Sequence, residues 1–521
     1  MPKTDPTRRE AVKLASTAAA VAAASSITGA PWIQKVKGAN NQVQFGFIGT
    51  GSRGQYLLKH LKNVDNGRCM AVCDTWDKNL DEAAKIPGSN PKKFKDYREL
   101  LAQKDVDAVL IATPLYMHFP PTRDALLAGK HVFCEKSIVF KPEEIHALRE
   151  LSAEHPKQIV QVGLQRRYSK FYATARQMIE KGMLGQVTHI RAQWHRNTFA
   201  RDPWNKALPA GRTDEQTNWR KYRKFSGGLT AELASHQIDV ADWMFGSHPE
   251  YVVGIGGTDY IKDGRDIFDN IQLLYKYPNG QKLIYSSLTT NRHLPMFDMS
   301  RTEFGEIIMG TKGTIHITVG TDDEPALGLW FREPESASAT PGAKKESAPT
   351  GASLASTGKA GKGLPILLEH HLPNQSDSFL RSEMKFAKLW LYGKGVMVPE
   401  EDRNPVDVEL ESFFDSCATG KRPKADLEVG LADSAAVMLS NQAMYEGRKV
   451  YFNEIDKMGR KCVDSNEFLI DGLRIRIGQR GGSDFLIGHG VRLGPIKILG
   501  DLPQSIVRIL RFPWHRRASA R

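Results

Sequence analysis

Three glycines in the run Gly49-Thr50-Gly51-Ser52-Arg53-Gly54 follow directly on a strand-like segment, Val43-Gln44-Phe45-Gly46-Phe47-Ile48. They open a helical pattern that sets Leu57, Leu58, Leu61 and Val64 on one face. In such a strand–turn–helix unit the first glycine permits the tight turn. The second lets backbone approach a pyrophosphate, and the third lets the helix pack closely on the strand. The helix N-terminus then offers free N–H groups to phosphates. A chain with 45 glycines produces this spacing readily by chance, and an ordinary βαβ unit is the competing reading. Context favours the cofactor: a second apolar run, Cys69 to Cys73, ends at Asp74, twenty residues past Gly54. That is where a carboxylate binds the adenine ribose.

The alternation continues. Asp107 to Thr113 is a buried strand ending at Pro114, and Pro121 to Ala128 is a helix closed by Gly129. Val132-Phe133-Cys134 precedes Glu135-Lys136-Ser137; a helix around Pro142 to Glu154 and a strand from Ile159 to Val162 follow. The fold class is therefore α/β, a doubly wound parallel Rossmann sheet over residues 41–164. Ligands bind at the carboxyl ends of such strands, so Gly49, Asp74, Thr113 and Glu135-Lys136 should converge on one crevice.

The net charge of +13 suggests nucleic acid until it is mapped along the chain. Residues 1–40 hold six Lys/Arg against two Asp/Glu, and 457–521 hold thirteen against five, so the remainder carries only +1. The basicity sits in the two ends, so a nucleic-acid-binding core is not supported. Thr7-Arg8-Arg9-Glu10-Ala11-Val12-Lys13 resembles a twin-arginine export motif, followed by a mildly apolar stretch too short to span a bilayer. The expected location is periplasmic or extracytoplasmic, with 1–40 as signal and spacer. The five cysteines form no CxxC pair and fall largely in apolar runs, so neither a disulfide framework nor a metal site is expected. No segment is long and apolar enough to span a membrane.

These motifs, taken in order, resemble the glucose–fructose oxidoreductase and inositol dehydrogenase (Gfo/Idh/MocA) family. The carriers are the glycine turn, Thr113-Pro114 with His118, Glu135-Lys136, Gly163 to Tyr168, and Gly227-Gly228 through Glu232 and His236 to Asp239. The stretch from Gly420 to Lys449 resembles the family's last helix and strand, so the resemblance spans about 43 to 455. Two positions depart from the pattern: Ser137 stands where the family has proline, and Glu232 where it often has aspartate. The resemblance implies a second α+β domain, 165–455, with an open, mostly antiparallel sheet, and homo-oligomers formed through that sheet. Within it, 334–363 is a low-complexity insertion that cannot bury a core. The basic extension 456–521 shows no clear periodicity and is expected to be poorly ordered.

The resemblance assigns NAD, with NADP the less favoured cofactor, to Gly49, Gly51, Ser52, Arg53, Gly54, Asp74, Thr113, Pro114, His118 and Glu135. Tight binding is expected, because an exported enzyme meets little free cofactor. Lys136 and His236 are the expected proton-transfer groups, with Glu232 orienting the substrate. Oxidising a secondary alcohol needs a base that titrates near neutrality, and a buried lysine or a histidine meets that need. Gln165, Arg166, Tyr168, His195 and Tyr222 are candidate sugar contacts, packing or a solvated face being the competing reading for each. The expected activity is oxidation of a secondary hydroxyl of a sugar, polyol or glycoside. The alternatives are redox-neutral glycoside cleavage on the same site and a relative that only binds sugars.

Overall fold

The computed structural model describes residues 42–198, 202–291, 304–318, 327–333, 364–368, 378–398 and 403–458, and four short strands beyond 466. The expected export segment and the 334–363 insertion lie outside the described residues. The described residues up to 455 form one compact unit, and those beyond it another.

The first sheet is built from β1 (Val43–Ile48), β2 (Gly67–Cys73), β3 (Lys92–Phe94), β4 (Ala108–Ile111), β5 (His131–Glu135) and β6 (Val160–Gly163). The strands are all parallel in the order β3-β2-β1-β4-β5-β6. The order reverses between β1 and β4, which opens a crevice at their carboxyl ends. Phe45, Phe47, Val72, Leu110 and Phe133 are buried in this sheet, with Leu57 and Leu58 of α1 (Ser52–His60) packed against them.

The second sheet has nine strands, among them β7 (Val187–His195), β8 (Tyr251–Gly257), β9 (Asn270–Lys276), β10 (Lys282–Leu288) and β11 (Phe304–Gly310). Among the described residues only the β7–β10 pair is parallel and every other neighbour is antiparallel, as expected for the second domain. Period-two alternation drives the burial: Ile271, Leu273 and Tyr275 of β9 face inward while Gln272 and Leu274 face out. The inner face is covered by α2 (Ser235–Phe245) and α4 (Leu427–Glu446). Ile255, Leu274 and Ile284 remain exposed on the outer face.

One element crosses back. In α3 (Pro405–Thr419), Asn404 caps the N-terminus by accepting from Val406 N, and Gly420 closes the helix in the left-handed region. Its Phe414 stacks on Phe45 at 5.2 Å, and its Phe413 meets Phe133 edge-on at 5.8 Å. Asp407 holds His60 Nδ1 at 2.6 Å. This helix therefore completes the core of the first sheet, although it lies far along the chain.

In the unit 456–521, Glu467–Ile470 pairs with Leu473–Arg476 and Phe485–Ile487 with Val491–Leu493, both antiparallel. Among the described residues no helix is long and apolar enough to cross a membrane.

Candidate active site

The glycine turn is built as its spacing requires. Gly49 has φ +88°, and a Cβ there would lie 2.6 Å from Thr113 N. A Cβ on Gly54 would lie 2.2 Å from the Gly49 carbonyl oxygen, so Gly54 serves the packing of α1 under the turn and does not line the crevice. Gly51 differs: the nearest atom to a Cβ would be Asn79 Nδ2 at 3.9 Å, because this position faces open space. Backbone there can be approached closely, and no side chain caps the helix N-terminus at Gly51. A diphosphate fits this cradle.

The crevice has a volume of about 570 Å³ and is lined by Gly49, Gly51, Ser52, Arg53, Asp74, Thr113, Pro114, His118 and Glu135. Of the expected cofactor residues, all but Gly54 thus meet there. Asp74 does more than its position promised. Its carboxylate accepts from Thr50 N at 2.9 Å, Trp76 N at 2.8 Å and Asn79 Nδ2 at 3.3 Å, tying the glycine turn to the turn after β2. Arg53 and Glu135 pair with each other at 2.7 Å. His118 lies between two carbonyls, with Nδ1 2.8 Å from Ser137 O and Nε2 2.9 Å from Thr113 O. Burial pushes its pKa down, so the ring is neutral and donates to one of them at a time. It ties the end of β4 to the end of β5.

Lys136 emerges at the end of β5, and its Nζ donates to the carbonyls of Ala231 and, at 2.9 Å, Glu232. The Lys136–Ser137 peptide bond is cis. Ser137, in the place of the family's proline, donates through Oγ to the buried Asp433 of α4 at 3.2 Å, which fixes the segment beside the lysine. Burial lowers the Lys136 pKa and outweighs the opposing carboxylates of Glu232, Glu135 and Asp433. Burial likewise drives Asp433 well above the usual carboxyl range.

Glu232 lies in a π-helical turn, Thr230–Ala234, that runs into α2, and both Glu232 and His236 line the crevice. Such turns widen the helix and recur at functional sites. Burial raises the Glu232 carboxyl, but Arg220, bound at 2.9 Å, and Lys136 outweigh it and leave the pKa below its usual value. His236 is 7% exposed, and its Nδ1 has no hydrogen-bond partner among the described residues. Burial, then the charge of Lys136, holds its pKa well below 6.5, so the ring is neutral.

Among the expected sugar contacts only Gln165 lines the crevice. Arg166 turns inward to a buried ion pair with Glu306, whose other oxygen accepts from Tyr172 at 2.7 Å. Tyr168 is buried, its hydroxyl 3.4 Å from Ala425 N. His195 points to the opposite side of β7, where its Nε2 meets Ser286 Oγ at 2.8 Å. Strand alternation places Trp194 and Arg196 in the crevice instead. Tyr222 bonds Asp214 outside the crevice, which takes Trp219 and Arg220 from the same stretch. Trp194 stacks on Phe304 at 4.5 Å, lies 5.8 Å from the His236 ring, and carries Arg196 at 5.2 Å. The sequence reading missed Arg220 as the partner of Glu232, and it missed the loop residues Lys206, Pro209, Arg212 and Gln216, which also line the crevice.

Two family descriptions match the chain. "Oxidoreductase family, NAD-binding Rossmann fold" covers residues 43–164, and "GFO/IDH/MocA C-terminal domain" covers 172–316. The chain is 30% identical over 214 residues to inositol 2-dehydrogenase/D-chiro-inositol 3-dehydrogenase of Shouchella clausii, spanning 40% of this chain but only 55% of that protein. It is 25% identical over 423 residues to 2,7-anhydro-N-acetylneuraminate hydratase of Mediterraneibacter gnavus, spanning 79% of this chain and 97% of that one. Among solved structures it resembles aldose-aldose oxidoreductase from Caulobacter crescentus, with TM-score 0.56 and 18% identity over 79% of this chain and 99% of that chain.

Proposed function

From the premise that this chain belongs to the Gfo/Idh/MocA family of oxidoreductases, we propose that it oxidises a secondary hydroxyl of a sugar, polyol or glycoside, with Lys136 taking the proton. The observation that carries this is the setting of Lys136. A neutral amine has two N–H groups and one lone pair. The carbonyls of Ala231 and Glu232 accept the two N–H groups, which leaves the lone pair for a hydroxyl in the crevice. Burial keeps the amine neutral over more of the pH range than an exposed lysine. His236, neutral and with a buried Nδ1 that has no partner among the described residues, is set to hydrogen-bond the same hydroxyl or its neighbour. Glu232, kept ionised by Arg220, accepts from a vicinal hydroxyl and orients the ring. Gly51 and the N-terminus of α1 would hold the diphosphate of a nicotinamide dinucleotide and Asp74 its ribose; when bound, that cofactor supplies the hydride acceptor.

Asp74 supports NAD over NADP, since its carboxylate repels a 2′-phosphate. A second reading, a redox-neutral cycle in which the oxidised intermediate is reduced again, is favoured by the near full-length match to a protein named as a hydratase. The Thr7-Arg8-Arg9 segment supports twin-arginine export with the cofactor loaded beforehand. The exposed Ile255, Leu274 and Ile284 support association through the second sheet. The test is to incubate cofactor-stripped protein with NAD and a panel of polyols, aldoses and glycosides. Accumulating reduced nicotinamide supports net oxidation, and product without accumulation supports the cycle. Sugar binding with neither would leave a binding protein.

A further inference from the structure

The loop between β7 and α2 reaches the crevice from the second domain, and its residues Lys206, Pro209, Arg212 and Gln216 line it. This loop is a built element. The buried Asn218 amide joins its two ends, accepting from Lys206 N at 2.8 Å and donating to Lys206 O at 2.9 Å. The same amide donates to Asp214 at 2.7 Å. Behind it, Arg265, whose side chain is fully buried, pairs with Asp202 and Asp263, anchoring the loop to the second domain.

At the tip, Arg212 N donates to Pro209 O at 3.1 Å and its guanidinium to Gln216 O at 2.8 Å. The guanidinium lies 4.7 Å over the ring of Trp76. Trp76 belongs to the first domain, and its backbone N–H donates to the Asp74 carboxylate at 2.8 Å. The stack therefore joins the two domains beside the residue assigned to the ribose. The geometry points to a clasp: loop 206–218 closes the adenosine end of the crevice, and the Arg212–Trp76 stack must part before a dinucleotide leaves. This rests on the reading of the crevice as a dinucleotide site. It gives that reading a physical source of slow release, one that involves neither Lys136 nor His236.

The test uses the full chain loaded with NADH, chased with excess NAD, and follows loss of bound-nucleotide fluorescence. Arg212→Ala and Arg212→Gln should speed release roughly 2- to 30-fold, the range expected from one cation–π contact. Calorimetry on the stripped protein adds a second readout. The same variants should weaken ADP-ribose binding by a similar factor and leave nicotinamide mononucleotide binding unchanged. Release and ADP-ribose affinity equal to wild type in both variants would overturn the clasp. Equal weakening for both fragments would overturn it too, by showing a general disturbance of the crevice. A wild-type chain that binds neither fragment would overturn the crevice assignment, and the clasp with it.

Discussion

Replacing Lys136 with methionine leaves an unbranched side chain one heavy atom shorter and removes its proton chemistry. The substitution leaves the carbonyls of Ala231 and Glu232 without their Nζ donor. The Ala231 carbonyl keeps a donor in Ser235 Oγ at 2.9 Å, so at most one carbonyl is left unsatisfied, at a cost of about 1–3 kcal/mol. Against this, the variant no longer buries an amine whose charged form the site disfavours, as its lowered pKa records. The two effects oppose, so the net stability change should stay within about 2 kcal/mol, a shift of a few degrees in Tm for a protein of this size. The effect on chemistry has no such offset. Loss of a positioned general base lowers the rate by roughly two to four orders of magnitude, or about 3–5 kcal/mol in the barrier. The assay is a single turnover of cofactor-loaded protein with an accepted sugar, read as reduced-nicotinamide absorbance, alongside a thermal melt and an NAD titration. The variant should retain cofactor affinity and lose the burst. In the wild type, the oxidation rate should rise with pH through the depressed Lys136 pKa, because the neutral amine is the active form. A variant within tenfold of wild type, or one that loses rate only in proportion to lost NAD affinity, would refute the assignment of the base.

The glycines separate folding from binding: Gly51→Ala should leave Tm unchanged, since its Cβ meets open space, yet abolish dinucleotide binding by calorimetry, whereas Gly49→Ala should fold poorly. NAD should bind more tightly than NADP, and Asp74→Ser should narrow the difference; tighter NADP binding by the wild type would sink the role given to Asp74. Glu409 is completely buried beside Glu135 and Asp239, and burial raises its pKa well above the usual 4.5. A raised folded pKa contributes stability that is present below the unfolded value and lost as pH rises toward the folded one. The gain in Tm of Glu409→Gln over wild type should therefore grow as pH climbs from 4.5, and a gain flat with pH would contradict the burial argument.

The first sheet was legible because its signals are local. A glycine turn, an acidic residue twenty positions later and successive apolar strands each show in short spacings, whereas the short β3 and the order β3-β2-β1-β4-β5-β6 emerge only in the structure. Glu232 and His236 were legible for the same reason. What depends on distant partners was not. Nothing near Phe413 and Phe414 in sequence says that they meet Phe133 and Phe45 of the first sheet. Arg166 was read as a sugar contact because nothing near it in sequence reveals Glu306, which draws it inside. Choosing His195 over Trp194 was a matter of strand phase, and phase follows from pairing: β7 runs through His195 against Leu288 of β10. Arg212 lay in a polar loop with no periodicity, and only the fold brings it onto Trp76.

The most direct measurement of the central claim is the fate of the cofactor in a single turnover. Protein purified after expression with NAD, dialysed, and mixed with an accepted sugar deuterated at the oxidised carbon would be quenched and its nicotinamide examined by mass spectrometry. The account predicts deuterium on the nicotinamide ring, absent in Lys136→Met. Product formed with no label ever reaching the nicotinamide would contradict it.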